Sequence, residues 1–125
     1  MIVIGTDVAA HALGIPRKTL DNILSREARA LMKEGRRGKK RRIDFDTLEH
    51  IAIALLLGRD LAIPIATGLR LAAQVSQMPD GDIPVSSFTS IRCDLPRLRA
   101  TLEAAIIDAL DGFVPARRGR PSVAN

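Results

Sequence analysis

The sequence predicts a mainly α-helical fold with a short β-hairpin and one additional C-terminal helix. Two short segments with apolar faces are joined by a glycine-bearing turn, Leu13-Gly14-Ile15-Pro16. Between helix-like segments lies the run GRRGKKRR, Gly35 to Arg42, with six cations in eight positions. Further stretches beginning near Leu48, Ile65 and Leu95 repeat apolar residues at the spacing of a helix face.

The first helix is expected to begin at Thr6 and Asp7, whose side-chain oxygens can accept from free amides, and to run to Leu13 with Val8, Ala9 and Ala12 inward. Gly14 breaks it. Pro16 suits the first turn of the next helix because it lacks an amide proton. Leu20, Ile23 and Leu24 give that helix an inward stripe, leaving Arg17, Lys18, Asp21, Asn22 and Ser25 outward. Two such helices about a tight turn form a helix-turn-helix pattern. Arg26 to Glu34 continues the helix or runs irregularly into the basic segment, with Ala28, Leu31 and Met32 as apolar anchors.

After the basic run, Ile43 and Phe45 alternate with Asp44, a short strand signal. Asp46 and Thr47 offer a cap for a helix carrying Leu48, Ile51, Ala52, Leu55 and Leu56, which Gly58 and Arg59-Asp60 close. Another helix begins near Pro64 and ends near Gln77. Residues 78–90 are rich in turn formers, and Ile91 and Cys93 mark a short strand. Asp94 caps a last helix with Pro96 in its first turn and a stripe of Leu95, Leu98, Leu102, Ala105, Ile106 and Ala109. The expected organisation is therefore a domain over 1–77, a linker and C-terminal helix over 78–114, and a basic irregular tail over 115–125.

Composition bounds the function. The chain has 125 residues, of which 46% are apolar, enough for one domain with a real core. With no Trp or Tyr and three Phe, stacking on unpaired bases is a poor route to binding, which disfavours a single-strand binder. The net charge of +5 collects at Arg36–Arg42 and at Arg117, Arg118 and Arg120, and such clusters point to a polyanionic partner or to a solvated basic surface. A single cysteine, Cys93, excludes an internal disulfide and a cysteine-rich zinc site. The opening MIVIGTDVAA has no basic leader before a long apolar stretch, and the longest apolar run, Ile51 to Leu57, is too short for a bilayer. The expectation is a soluble, cytoplasmic, nucleoid-associated protein with no membrane partner.

The order of these elements resembles the N-terminal DNA-binding domain of the MerR family over residues 5–69. In TDVAAHALGIPRKTL, the positions Val8, Ala9, Leu13, Gly14, Ile15, Thr19 and Leu20 match that family's opening helix, turn and Thr-Leu pair. In RRIDFDTLEHI, Arg41, Arg42, Asp46, Leu48, Glu49 and Ile51 match its wing-to-helix pattern. LAIPI resembles its Leu-Gly-apolar-Ser-Leu turn, with Ala62 and Pro64 as substitutions. The family's aromatic pair after Thr-Leu is replaced by Asp21 and Asn22, its wing tyrosine by Ile43, and its long dimerising helix is not evident. The resemblance implies a winged helix-turn-helix and duplex-DNA binding; the departures argue against carrying over an effector response or promoter untwisting. Separately, Arg118-Gly119-Arg120-Pro121 resembles the core of an AT-hook, in which arginines enter the narrow, electronegative minor groove of A·T-rich DNA.

The DNA-binding residues implied are Arg17, Lys18, Thr19 and Asn22 on the second helix, Arg36, Arg37, Lys39, Lys40, Arg41 and Arg42 in the wing, and Arg118, Gly119 and Arg120 in the tail. Arginine or lysine can donate to guanine O6 and N7, and asparagine can pair with adenine N6 and N7. Arg17 and Lys18 are also able to reach phosphate. The wing cations would neutralise phosphates and release counterions, with a log–log salt slope of about −4 if ~4 phosphates are contacted. The last helix either pairs two copies of the chain or covers the domain's own core. His11 and His50 fall on different helices, no nucleophile-bearing turn or phosphate loop is present, and Asp44 and Asp46 read as strand-end and cap residues rather than a metal pair. No enzyme, cofactor, metal or small-molecule ligand is expected. The functional expectation is a small transcriptional regulator. The alternatives are an excisionase-like or phage DNA-packaging architectural factor, and a protein-binding adaptor with a basic loop.

Overall fold

A computed structural model describes residues 3–27, 42–75, 77–78 and 81–118, with side chains through residue 111. It is mainly helical. The described elements are β1 (Val3–Gly5), α1 (Thr6–Leu13), α2 (Arg17–Arg26), β2 (Arg42–Asp44), α3 (Phe45–Leu61), α4 (Ile65–Val75), β3 (Asp82–Pro84), β4 (Ser90–Arg92) and α5 (Leu95–Arg118). Two antiparallel two-stranded sheets, β1–β2 and β3–β4, accompany the helices.

The first sheet moves the expected starts of two helices. β2 pairs with the N-terminal strand, with Val3 opposite Asp44, Ile4 opposite Ile43 and Gly5 opposite Arg42; the other arm expected of a wing hairpin lies outside the described residues. Each strand then turns directly into a helix. Pairing keeps the backbone extended to Gly5, so Gly5 rather than Thr6 or Asp7 is the cap residue of α1, and Thr6 is buried instead. Asp44 rather than Asp46 or Thr47 caps α3, its carboxylate accepting from the Thr47 amide at 2.8 Å, a bond that satisfies one free donor of the first turn. Phe45 accordingly opens α3 instead of extending the strand.

The turn between α1 and α2 follows the sequence closely. Gly14 has φ 72, its amide reaches the His11 carbonyl at 3.1 Å, and Ile15 reaches Ala10 at 3.1 Å. A side chain at Gly14 would be strained in this left-handed conformation, which glycine adopts freely.

α3 is buried on more faces than its periodicity predicted. Leu48, Ile51 and Ala52 join α1, α2 and the Ile4–Ile43 pair in one apolar cluster, while Ile53 and Leu57 join Ala72, Val75, Ile83 and Leu95 in a second. Leu55, expected inward, only edges the first cluster. Full burial of a side chain such as Leu48 or Ile53 contributes about 1.5–3 kcal/mol. α3 ends beyond Gly58, at Leu61, where Ala62 takes φ 59. α4 returns close against it, the position of a Cβ on Gly68 lying 3.2 Å from that of Ala54.

α5 closes the structure over both clusters. Leu95 sits in the second, Leu102 and Ile106 in the first, and Leu98 packs against both. Asp94 accepts from the Arg97 amide at 3.2 Å, as expected of a cap. Of the two readings of the α5 stripe, covering the chain's own core is the one observed. The helix extends to Arg118, past the point where the tail was expected to begin. No helix among the described residues is long and apolar enough to cross a membrane.

Candidate nucleic-acid interface

The residues expected to read DNA start on α2. Leu20, Ile23 and Leu24 bury one side of this helix in the first cluster, which fixes its rotation. Arg17, Lys18, Thr19 and Asn22 consequently face solvent on the other side, with Ser25 and Arg26 beyond them. Asp21, expected outward, is half-buried.

Arg17 has company that its position alone did not reveal. Its Nη1 donates to Oδ1 of Asp7 on α1 at 2.8 Å, and its Nε lies 3.7 Å from Oδ2 of Asp21, one helical turn along α2. The Arg17–Asp21 contact was available from i,i+4 spacing. The Asp7 contact was not, because it depends on how α1 and α2 cross.

Arg42, the last cation of the basic run, is exposed at the end of β2 opposite Gly5. Gly5 caps α1, and Asp7 lies in the first turn of that helix. Three parts of the chain therefore converge on the start of α1: the first residue of α2, the N-terminal strand and the end of the cationic run. Arg36, Arg37, Lys39, Lys40 and Arg41 lie outside the described residues, as do Ala28, Leu31, Met32, Gly119 and Arg120. Arg118 ends α5.

Three other groups of ionisable residues lie at contacts between elements or in partly buried positions. Glu49 is buried on α3, where Arg99 of α5 donates Nε to Oε2 and Nη2 to Oε1, the latter at 3.4 Å. The hydrogen bond to Glu49 raises the pKa of the Arg99 guanidinium. His11 Nε2 lies 3.4 Å from Asp108 Oδ2, joining α1 to α5. Burial raises the pKa of the Cys93 thiol, and Glu49 and Asp94 push it further in the same direction. A half-buried thiol held neutral is a poor nucleophile. Among the described residues no three of His, Cys, Asp and Glu gather as a metal site would require.

Compared with protein-family models, with curated proteins and with solved structures, the chain gives no match.

Proposed function

We propose that the chain binds duplex DNA as a MerR-like winged helix-turn-helix protein and acts as a small transcriptional regulator. The observation that carries this reading is the convergence of Arg17 and Arg42 on the start of α1. Arg17 opens the exposed polar face of α2 and contacts Asp7, while Arg42 is held opposite Gly5 by the β1–β2 register. A helix with one face locked in the core and the other offering Arg17, Lys18, Thr19 and Asn22 has the donors and acceptors to meet base edges in a major groove. The run ending at Arg42 would lie beside it as the wing and hold the phosphate backbone, where contacts contribute affinity rather than sequence choice.

Two further features support the resemblance. Gly14 adopts the left-handed conformation at the turn where the family also has glycine. Ala62 adopts φ 59 where the family's turn has glycine, so the backbone follows a path better suited to that residue. Pairing of two copies through α5 stays within the proposal on its outer face, where Ile107 and Leu110 are exposed, because the inner stripe is covered. Two copies on a repeated site would enlarge a small footprint.

The test is binding of random-sequence duplex as a function of salt. The expected log–log slope is about −4 for ~4 phosphate contacts. Neutralising Arg36, Arg37, Lys39, Lys40 and Arg41 should flatten it, and Arg17→Ala and Asn22→Ala should relax sequence preference. A folded protein with no duplex binding at low salt would sink the proposal. A protein-binding adaptor would then be the better reading, favoured by Phe88, which is 97% exposed at the tip of the β3–β4 hairpin.

A further inference from the structure

The start of α2 is electrically balanced. Arg17 and Lys18 are its cations, and Asp7 and Asp21 flank the Arg17 guanidinium at 2.8 and 3.7 Å. A face meant only to grip phosphate has no use for two carboxylates. They would repel the backbone and compete with it for Arg17. A face meant to read base edges can use them, because discrimination is often gained by penalising the wrong contact.

We propose that Asp7 and Asp21 are specificity-determining residues that hold Arg17 for the edge of a base and withhold it from phosphate. This inference rests on the duplex-binding reading above. Arginine has five donors in a planar fork. Asp7 takes one hydrogen of Nη1, and Asp21 lies on the Nε side. The second Nη1 hydrogen and the two on Nη2 remain, and a pair of these can donate to guanine O6 and N7. In the free protein the clasp is weak, since Arg17 and Asp7 are 58% and 60% exposed and water screens them. Against a groove, water is displaced and the local dielectric falls, so the guanidinium–carboxylate contact strengthens where orientation matters. The division of labour follows: a charge-balanced α2 selects the sequence, and the separate cationic run supplies the attraction.

The experiment compares the full chain with Asp7→Asn, Asp21→Asn, Arg17→Ala and the Asp7→Asn/Arg17→Ala double variant. Each is measured against random duplex and against the best-bound duplex selected from a randomised library. Asp7→Asn should tighten binding to random duplex several-fold and steepen its salt slope by about 0.9, the increment for one new phosphate contact. The affinity ratio between selected and random duplex should fall. Asp21→Asn should act in the same direction, more weakly, in keeping with its longer contact. Both slope and ratio changes should vanish in the Arg17→Ala background, because the carboxylate acts through that side chain. Equal tightening with Arg17 absent would overturn the inference, as it would reveal only the loss of a repelling charge. So would an unchanged slope and ratio in Asp7→Asn while wild-type binding persists. If the wild type binds no duplex, the DNA-binding reading itself falls, and this inference with it.

Discussion

Glu49 of α3 and Arg99 of α5 meet across 50 positions of chain, and the Glu49 carboxylate is 3% exposed while Arg99 is 44% exposed. The pair joins the central helix to the closing helix. Removing the partner of a buried charge costs about 3–5 kcal/mol when both groups are inaccessible. Water reaches Arg99 here, so Arg99→Ala should cost about 3 kcal/mol or less. Glu49→Gln, which keeps an acceptor and removes the charge, should cost less than Arg99→Ala. Urea unfolding midpoints check both, and an unaltered midpoint in Arg99→Ala would show that the pair contributes nothing.

Ala62 is the one non-glycine residue with positive φ among the described residues. Its amide and that of Ile63 close α3 by bonding to Gly58 and Leu57. An L-residue in this conformation costs about 1–2 kcal/mol. Ala62→Gly should therefore raise stability, by about 1 kcal/mol or less once the greater freedom of glycine in the unfolded chain is subtracted. A lower melting temperature in Ala62→Gly would contradict this account of the helix end.

Gly81 should tolerate nothing larger. It has φ +76, and a Cβ there would lie 2.2 Å from the Cys93 carbonyl oxygen. The Cys93 amide also donates to the Gly81 carbonyl at 2.9 Å, so neither strand end can move without breaking the hairpin closure. Gly81→Ala should cost at least about 1–3 kcal/mol from backbone strain alone. Phe88→Ser, at the exposed tip of the same hairpin, should stay within about 0.5 kcal/mol of the wild type. Parallel denaturation of the two variants separates the base of the hairpin from its tip.

The Cys93 thiol gives the fold a pH dependence of defined sign. Burial, Glu49 and Asp94 all raise its pKa in the folded chain. As pH rises, the unfolded chain therefore loses the thiol proton first. The stability due to the neutral thiol is full below the ordinary thiol pKa and is lost as pH climbs through the folded value. Cys93→Ala should remove this part of the alkaline decline. At neutral pH, alkylation of native Cys93 should be slower than that of the urea-unfolded chain. Comparable rates would count against a sheltered thiol.

The tail makes a separable claim. Removing residues 117–125 should weaken binding chiefly to duplexes with A·T-rich flanks if Arg118 and Arg120 enter a narrow minor groove. Equal loss on G·C-rich flanks would leave a generic basic tail. Binding by fluorescence anisotropy to two duplexes with the same centre and different flanks distinguishes the outcomes.

Much of the helical architecture was legible in local signals. Leu20, Ile23 and Leu24 turned inward as their spacing required, Gly14 took the left-handed turn, and Asp94 capped α5. The strands were harder to read. β1 and β3 have three residues each, too few to display alternation, and β1 exists because its partner is β2. The caps of α1 and α3 were misplaced for the same reason, since strand pairing sets where each helix can begin. Among the candidate interface residues, exposure of Arg17, Lys18, Thr19 and Asn22 followed from helix periodicity, while the contact of Arg17 with Asp7 did not.

By itself, the sequence determined which segments become helices, which face of α2 meets the core and where cationic charge is concentrated. These depend on residues a turn or two apart. Tertiary structure alone decided that the end of the basic run is held at the start of α1, that Glu49 is buried against Arg99, that the α5 stripe faces inward and that Arg17 lies between two carboxylates. Each of these is a contact between residues brought together only when the helices pack, and no local pattern encodes which of several possible partners a side chain will meet.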